Sequence, residues 1–400
     1  MVGMKWKNLL CFAAAALASY AFGAEITSVR FSGLKRTRES YMQKVLAQFV
    51  GADSDALDLG EVETVLRSEG LFSEIAVSFS EDGATIHVAV TEKWSFIPLP
   101  FCSYTNDGFM GGLILMDNNA FGQKNTLMVG GVFSSSYLTA MLRLQRPAIY
   151  QKQIGYSSFL SYNKKNVKLD DLDEHTFAEI KSHKLNAEFA LEKKLSPFFT
   201  VSLGTKYAGF VIPDGGSFSS VHQWTANPAI KYAELDWNGW FLSEKYVEAK
   251  AEAGGSTEKT FVMGILLHGF FQQPIVPRVR LCLDASLSLE SHKNILLQQT
   301  RQNVSNTLVP SNFHSPAMAA ADCTVEAAIL KAKILILSFY AGYQAIAADD
   351  CDGGIDFSHG PGGGLKLYLQ KINFPACSLG LYYNVPHAYI QFGASIGVSF

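Results

Sequence analysis

Residues 387–400 alternate. Ala388, Ile390, Phe392, Ala394, Ile396, Val398 and Phe400 are apolar, and Tyr389, Gln391, Gly393, Ser395, Gly397 and Ser399 between them are mostly small or polar. Successive side chains of a β-strand point to opposite faces, so a period of two predicts a strand with one apolar and one wet face. The same period recurs upstream. Val279, Leu281, Leu283, Ala285, Leu287 and Leu289 alternate with Arg280, Cys282, Asp284, Ser286, Ser288 and Glu290. Leu185, Ala187, Phe189 and Leu191 do so with Asn186, Glu188 and Ala190, and Val247, Ala249 and Ala251 with Glu248, Lys250 and Glu252. Clusters of Gly, Asn, Asp and Ser divide these segments. The pattern predicts sixteen strands between residues 106 and 400, the first at 106–117, one at 296–302 and the last at 388–400. Apolar-out, charged-in strands of about ten residues are the signature of a transmembrane β-barrel with a wet lumen.

The first ninety residues have a different texture. Ile26 to Phe31 reads as a short strand. Tyr41, Val45, Leu46 and Phe49 form a helical stripe stopped by Gly51, and Leu59, Val62, Val65 and Leu66 form a second one closed by Gly70. Ile75, Val77 and Phe79 alternate, Glu81-Asp82-Gly83 marks a hairpin turn, and Ile86, Val88 and Val90 make a last strand. The order is strand, helix, helix, strand, strand.

Composition adds compartment. Phe is abundant at 28 residues and Pro sparse at 13, which suits a large β structure. A formal net charge of −3 argues against a nucleic-acid binder. Lys5 and Lys7 precede a short apolar stretch, Leu9 to Ala18, and small residues around Ala21-Phe22-Gly23-Ala24, so residues 1–24 read as a signal peptide. Cys11 lies inside that stretch and is expected to leave with it. The remaining cysteines, Cys102, Cys282, Cys323, Cys351 and Cys377, show no metal-ligand spacing. The strand count puts Cys323 and Cys351 at the same end of neighbouring strands, where a disulfide is geometrically open to them.

Val29-x-x-x-Gly33, Gly70-Leu71-Phe72 and Val90-Thr91-Glu92-Lys93 together resemble a POTRA domain, the periplasmic module of the BamA/TamA outer-membrane assembly superfamily. Gly108-Phe109-x-Gly111-Gly112 leading to Asp117-Asn118-Asn119-Ala120-Phe121-Gly122 looks like the first barrel strand and turn of that superfamily. Pro361-Gly362-Gly363-Gly364-Leu365 and the terminal Phe400 match its last strands. The resemblance implies a signal peptide at 1–24, a POTRA domain at 25–93, a connector at 94–105 and a 16-stranded antiparallel transmembrane β-barrel at 106–400. The fold class is mainly β with one small α+β (βααββ) domain. It implies a bacterial outer-membrane location with the POTRA domain in the periplasm. The partners implied are outer-membrane lipids and unfolded outer-membrane or secreted polypeptide clients, with periplasmic chaperones or envelope lipoproteins beside them.

Two sites follow from the resemblance. POTRA domains add an extended peptide to a sheet edge, here Glu74, Ile75, Val77 and Phe79. The barrel seam would join the first strand, with Gly108, Phe109, Gly111, Gly112, Leu113 and Leu115, to the last, with Phe392 and Phe400. One departure bears on mechanism. The superfamily carries an Arg-Gly-Phe or Arg-Gly-Tyr tip on a long loop folded into the lumen, paired with an acid on the wall. The corresponding stretch here, 302–320, has no arginine, and Phe339-Tyr340-Ala341-Gly342 lacks the acid.

No catalytic motif is present and no cofactor is indicated; there is no G-x-S-x-G and no H-E-x-x-H. His175 and His183 near Asp170, Asp171, Asp173 and Glu174 read as a solvated loop and not a metal centre. Arg280, Asp284 and Glu248 read as lumen lining. Besides insertion of outer-membrane proteins, two functions share this fold: a polypeptide-export or solute pore, and a barrel that anchors the POTRA domain as a docking platform.

Overall fold

The computed structural model describes residues 24–105, 108–134, 137–149, 153–171, 173, 175–213, 219–237, 240–291, 294–300, 304, 308–310, 312–332, 335–349, 354–369 and 375–396. The expected signal peptide up to residue 23 lies outside them. The chain divides into two compact units.

The first unit holds β1 (Ser28–Ser32), α1 (Glu39–Leu46), α2 (Leu59–Ser68), β2 (Phe72–Phe79) and β3 (Thr85–Glu92). The sheet order is β1-β3-β2, with β1 parallel and β2 antiparallel to the central β3. Both helical stripes face inward: Tyr41, Met42, Val45 and Leu46 of α1 and Val62 and Leu66 of α2 are buried with Ile86 and Val88. Asp58 caps α2 through the backbone N–H of Gly60.

The Val29-x-x-x-Gly33 spacing now has a physical cause. Gly33 sits at φ +84°, and a Cβ there would fall 2.0 Å from the carbonyl oxygen of Val90. That close approach brings the next residues over β3. The Glu92 carboxylate accepts from the backbone N–H groups of Lys35, Arg36 and Thr37 at 3.1, 2.9 and 2.8 Å. The segment Asp117–Thr126 belongs to this same unit. There Arg36 pairs with Asp117 at 2.7 Å and Asn119 donates to the Thr37 hydroxyl at 2.8 Å.

The second unit is a closed antiparallel barrel of sixteen strands. They are β4 (Phe96–Thr105), β5 (Gly108–Ala120), β6 (Asn125–Ser134), β7 (Tyr137–Arg146), β8 (Gly155–Asp170), β9 (Thr176–Lys194), β10 (Phe199–Val211), β11 (Val221–Trp237), β12 (Leu242–Ser256), β13 (Phe261–Val276) and β14 (Val279–Glu290). After a long connection come β17 (Ala317–Lys331), β18 (Leu335–Asp349), β19 (Ile355–Leu369), β20 (Pro375–Asn384) and β21 (Tyr389–Ile396). The connection carries a 3-10 turn, Ile295–Leu297, and a two-residue ladder of β15 (Gln299–Thr300) with β16 (His314–Ser315).

The alternation sorts as expected. On β14, Arg280, Cys282, Ser286 and Ser288 are buried inside, whereas Leu283 and Leu289 are exposed outside. We call the end where β4 begins the near end, and the opposite rim the far end.

The placement of the first strand needs correction. Residues 94–105 are not a connector: Phe96–Thr105 is the first barrel strand, and Gly108–Ala120 is the second. Pro98 and Pro100 make the segment look broken, because proline cannot donate to a ladder. Residues 296–300 of the expected strand at 296–302 are not a spanning strand either; they hold most of the 3-10 turn and the two-residue β15, and residues 301 and 302 lie outside the described residues. The two errors cancel in the count of sixteen.

Candidate functional site

The barrel closes between β21 and β4. Among the described residues this junction has four Cα pairs, Gly393 with Thr105, Ala394 with Tyr104, Ser395 with Ser103 and Ile396 with Cys102. Within the described residues the pairing covers Cys102–Thr105 of β4, and residues 397–400 lie outside them. The outer face of the junction carries Tyr104 and Phe392 with ring centroids 6.2 Å apart, edge to face.

Of the residues expected at the seam, Phe392 lies there. Phe400 lies outside the described residues. Gly108, Phe109, Gly111, Gly112, Leu113 and Leu115 stand on β5, one strand inward. The true partners on β4, from Cys102 to Thr105, were missed because their segment read as a linker.

Inside the barrel the long connection folds into the lumen although it has no arginine tip. Leu308 is fully buried against Tyr340 and Tyr382. Its carbonyl oxygen accepts from the Tyr389 hydroxyl at 2.8 Å and from Asn384 Nδ2 at 3.1 Å. Val304, Val309 and Phe313 pack on Met318, Ala320, Ile346 and Ala348 of β17 and β18. Leu296 packs on Val167, Leu169, Ile180, Phe210 and Val221 of the facing strands. Asn312 bonds Lys165 at 3.1 Å and Asp170 at 3.2 Å on β8. The connection therefore touches opposite walls.

Its grip combines apolar packing, neutral hydrogen bonds at Leu308 and bonds from Asn312 to Lys165 and Asp170, where the sequence resemblance leads one to expect an arginine–carboxylate pair. Neutral hydrogen bonds contribute about 1 kcal/mol each, roughly half of a charge-assisted bond. Gly362 makes room for this arrangement, because a Cβ there would meet the Tyr382 ring at 2.1 Å.

A charged cluster sits lower, towards the near end. Arg280 is 1 % exposed and Glu326 is fully buried. The guanidinium donates to Glu326 Oε2 at 2.8 and 3.1 Å, to the Tyr368 hydroxyl at 3.0 Å and to Gln272 Oε1 at 3.2 Å. Ser338 donates to the other carboxylate oxygen. The Arg280 guanidinium also lies 4.3 Å from the ring centroid of Phe241. Sequence reading placed Arg280 in the lumen and missed its partners. The available signal was Glu326, an acid on the inward register of Met318, Ala320, Asp322 and Thr324.

Beside the folded-in connection the lumen keeps a cavity of about 350 Å³ lined by Arg143, Glu188, Glu192, Asn227, Glu248 and Lys250 among others. Among the described residues no cluster of metal-binding side chains occurs.

The proposed disulfide is not supported. Cys323 is a free, exposed thiol on the outer face, with Tyr343 as its Cα partner. Asp349 lies six residues further along β18, about 20 Å at roughly 3.3 Å per residue. Cys351, outside the described residues, is two residues beyond. Two residues span at most about 7 Å, and a disulfide needs a Cα separation below about 7 Å.

β2, with Glu74, Ile75, Val77 and Phe79, is at the edge of its sheet.

A sixteen-stranded barrel with a lumenal connection and a small βααββ domain has known counterparts. The chain shares the fold of BamA and CdiB. BamA from Haemophilus ducreyi lacking POTRA domains 1–3 matches over 94% of this chain and 85% of its own, with a TM-score of 0.63 and 14% identity. CdiB from Escherichia coli matches over 94% and 77%, with a TM-score of 0.65 and 13% identity. CdiB from Acinetobacter baumannii matches over 94% and 74%, with a TM-score of 0.64 and 11% identity. No family model and no curated protein matches the chain by sequence. BamA and CdiB thus share the architecture seen here, and identities of this size speak to fold alone.

Proposed function

We propose that the chain is an outer-membrane barrel that assembles other outer-membrane polypeptides, with its small domain a periplasmic POTRA module. Clients are unfolded polypeptides. The β2 edge takes an extended client segment by strand addition, and the β4–β21 seam receives its strands. The observation that carries this reading is the seam. There the first and last strands of the barrel meet, through Cys102–Thr105 of β4 and Gly393–Ile396 of β21, and parting them frees backbone donors and acceptors for a client strand. The outer face supports membrane insertion, since Leu203, Val247, Met263 and Ile265 all stand exposed on it.

Tyr104 and Ala394 are Cα partners across the seam. Tyr104→Cys with Ala394→Cys, in a Cys102→Ser background, allows the seam to be locked by oxidation. Reconstituted into vesicles, the reduced barrel is expected to accelerate folding of an added outer-membrane protein, and the oxidised barrel to lose that effect. Equal acceleration in both states would contradict the proposal.

The charged lumenal cavity favours one rival, an export or solute pore. The folded-in connection opposes it, because its described residues pack on opposite walls of the lumen.

A further inference from the structure

The near-end tip of the β11–β12 hairpin departs from the barrel wall. The two strands stay in register down to Trp237 opposite Leu242. Among the described residues, β12 pairs with β13 only from Lys245 onward. Where the ladder stops, a side chain of β13 takes over. Gln272 Oε1 accepts from the Glu244 backbone N–H and from the Arg280 guanidinium, each at 3.2 Å. The end of β12 is thus tied to β13 by one side-chain bond at Glu244 and is free of its backbone ladder below that point.

Two aromatic residues lead into this loosened end, and both turn over the lumen. Phe241 is 3% exposed and packs on Ala328 of β17, Ile336 of β18 and Tyr368 of β19. Its ring centroid lies 6.2 Å from that of Tyr368, edge to face. In strand order β19 stands five places from β12. Five strand spacings are about 24 Å along the wall, at roughly 4.8 Å each. The Phe241 ring therefore crosses a chord of the lumen instead of lying on its own wall. Trp240 packs beside the same cluster. The Arg278 guanidinium lies 4.8 Å and the Lys331 ammonium 5.0 Å from its ring centroid, and both of those residues are exposed at the near rim. With Arg280 on Phe241, three cations from β17 and the start of β14 meet the faces of the two rings. Aromatic faces attract cations through the ring quadrupole, so these contacts draw the tip across the mouth.

We infer that Trp240 and Phe241 form a flap, hinged at Glu244 and Lys245, that narrows the near mouth of the lumen. The inference rests on the membrane reading above and adds a second closure to it. The two closures stand in series at opposite ends. The folded-in connection sets how often the lumen opens, and the flap sets how wide the path is once it does.

The test uses the full chain in planar bilayers, read as the amplitude and duration of single open events. Trp240→Ala with Phe241→Ala is expected to raise the amplitude and to leave the events as rare and brief as in the wild type. The same pair added to Leu308→Ala should raise the amplitude of its long events without changing their duration. Phe357→Ala, on the outer face, should alter neither quantity, and heat-modifiable gel migration checks that each variant is folded. Unchanged amplitude in the folded flap variants would overturn the proposal. Longer or more frequent events at unchanged amplitude would overturn it in favour of an aromatic brace that steadies the connection. A combined variant that enters the bilayer but shows no open events would overturn the flap and leave the membrane reading standing. A chain that folds but does not enter lipid at all would overturn both.

Discussion

Single residues decide how the wall is held. Arg280 and Glu326 are buried together, and their pairing satisfies two charges that the lumen wall cannot solvate. Breaking such a pair from one side leaves a buried charge and costs about 3–5 kcal/mol, whereas replacing both partners by apolar groups is close to neutral. Arg280→Met is therefore expected to lower the unfolding midpoint in denaturant, and adding Glu326→Leu to restore most of it. Equal loss in the single and double variants would show that the pair is not the unit that matters. In the small domain, burial pushes the Glu92 carboxyl up, but the amides of Thr37, Arg36 and Lys35 outweigh it and hold the group below the usual carboxylate range. A depressed carboxyl contributes stability that is complete above that range and lost as pH falls through its own lower value. Amide exchange of the Lys35–Thr37 segment is thus expected to rise on acidification, and Glu92→Gln to flatten that rise. At this scale the sequence told which face a residue takes, since Arg280, Asp284 and Glu248 all point inward. It did not tell partners. Glu326 is 46 residues from Arg280, and only strand order brings them together.

At the scale of elements, alternation was legible wherever a strand had regular partners on both sides. It failed at β4, where Pro98 and Pro100 imitate a linker, and that failure falls on the junction where the barrel closes. The long connection was legible as a loop only from residue 302 onwards, since 296–302 read as a strand, and its path was not legible. Without an arginine, nothing in the stretch announces that Val304, Leu308, Val309 and Phe313 will be buried in the lumen. Of these, Leu308 grips Tyr340, Tyr382 and Tyr389. Leu308→Ala removes a fully buried side chain, a change that costs about 2–5 kcal/mol in a packed core. The connection should then leave the lumen more often. Planar-bilayer recordings are expected to show long open events in the variant and rare, brief ones in the wild type. Identical conductance would mean that the apolar contacts do not hold the connection in place.

For the whole molecule, the architecture was readable because a barrel repeats one rule and a βααββ domain has a short, distinctive order of elements. Function was less readable, since the residues that define it are backbone groups at a strand edge and carry no side-chain signature. The central claim is that the β4–β21 seam receives client strands. The measurement that tests it most directly is photocrosslinking in living cells, with the probe at Tyr104 and at Phe392 on either side of the seam and a lumenal control at Glu248. The account predicts adducts with several nascent outer-membrane barrels from both seam positions and few from Glu248. Adducts from Glu248 with none at the seam would contradict it and move the client path into the lumen.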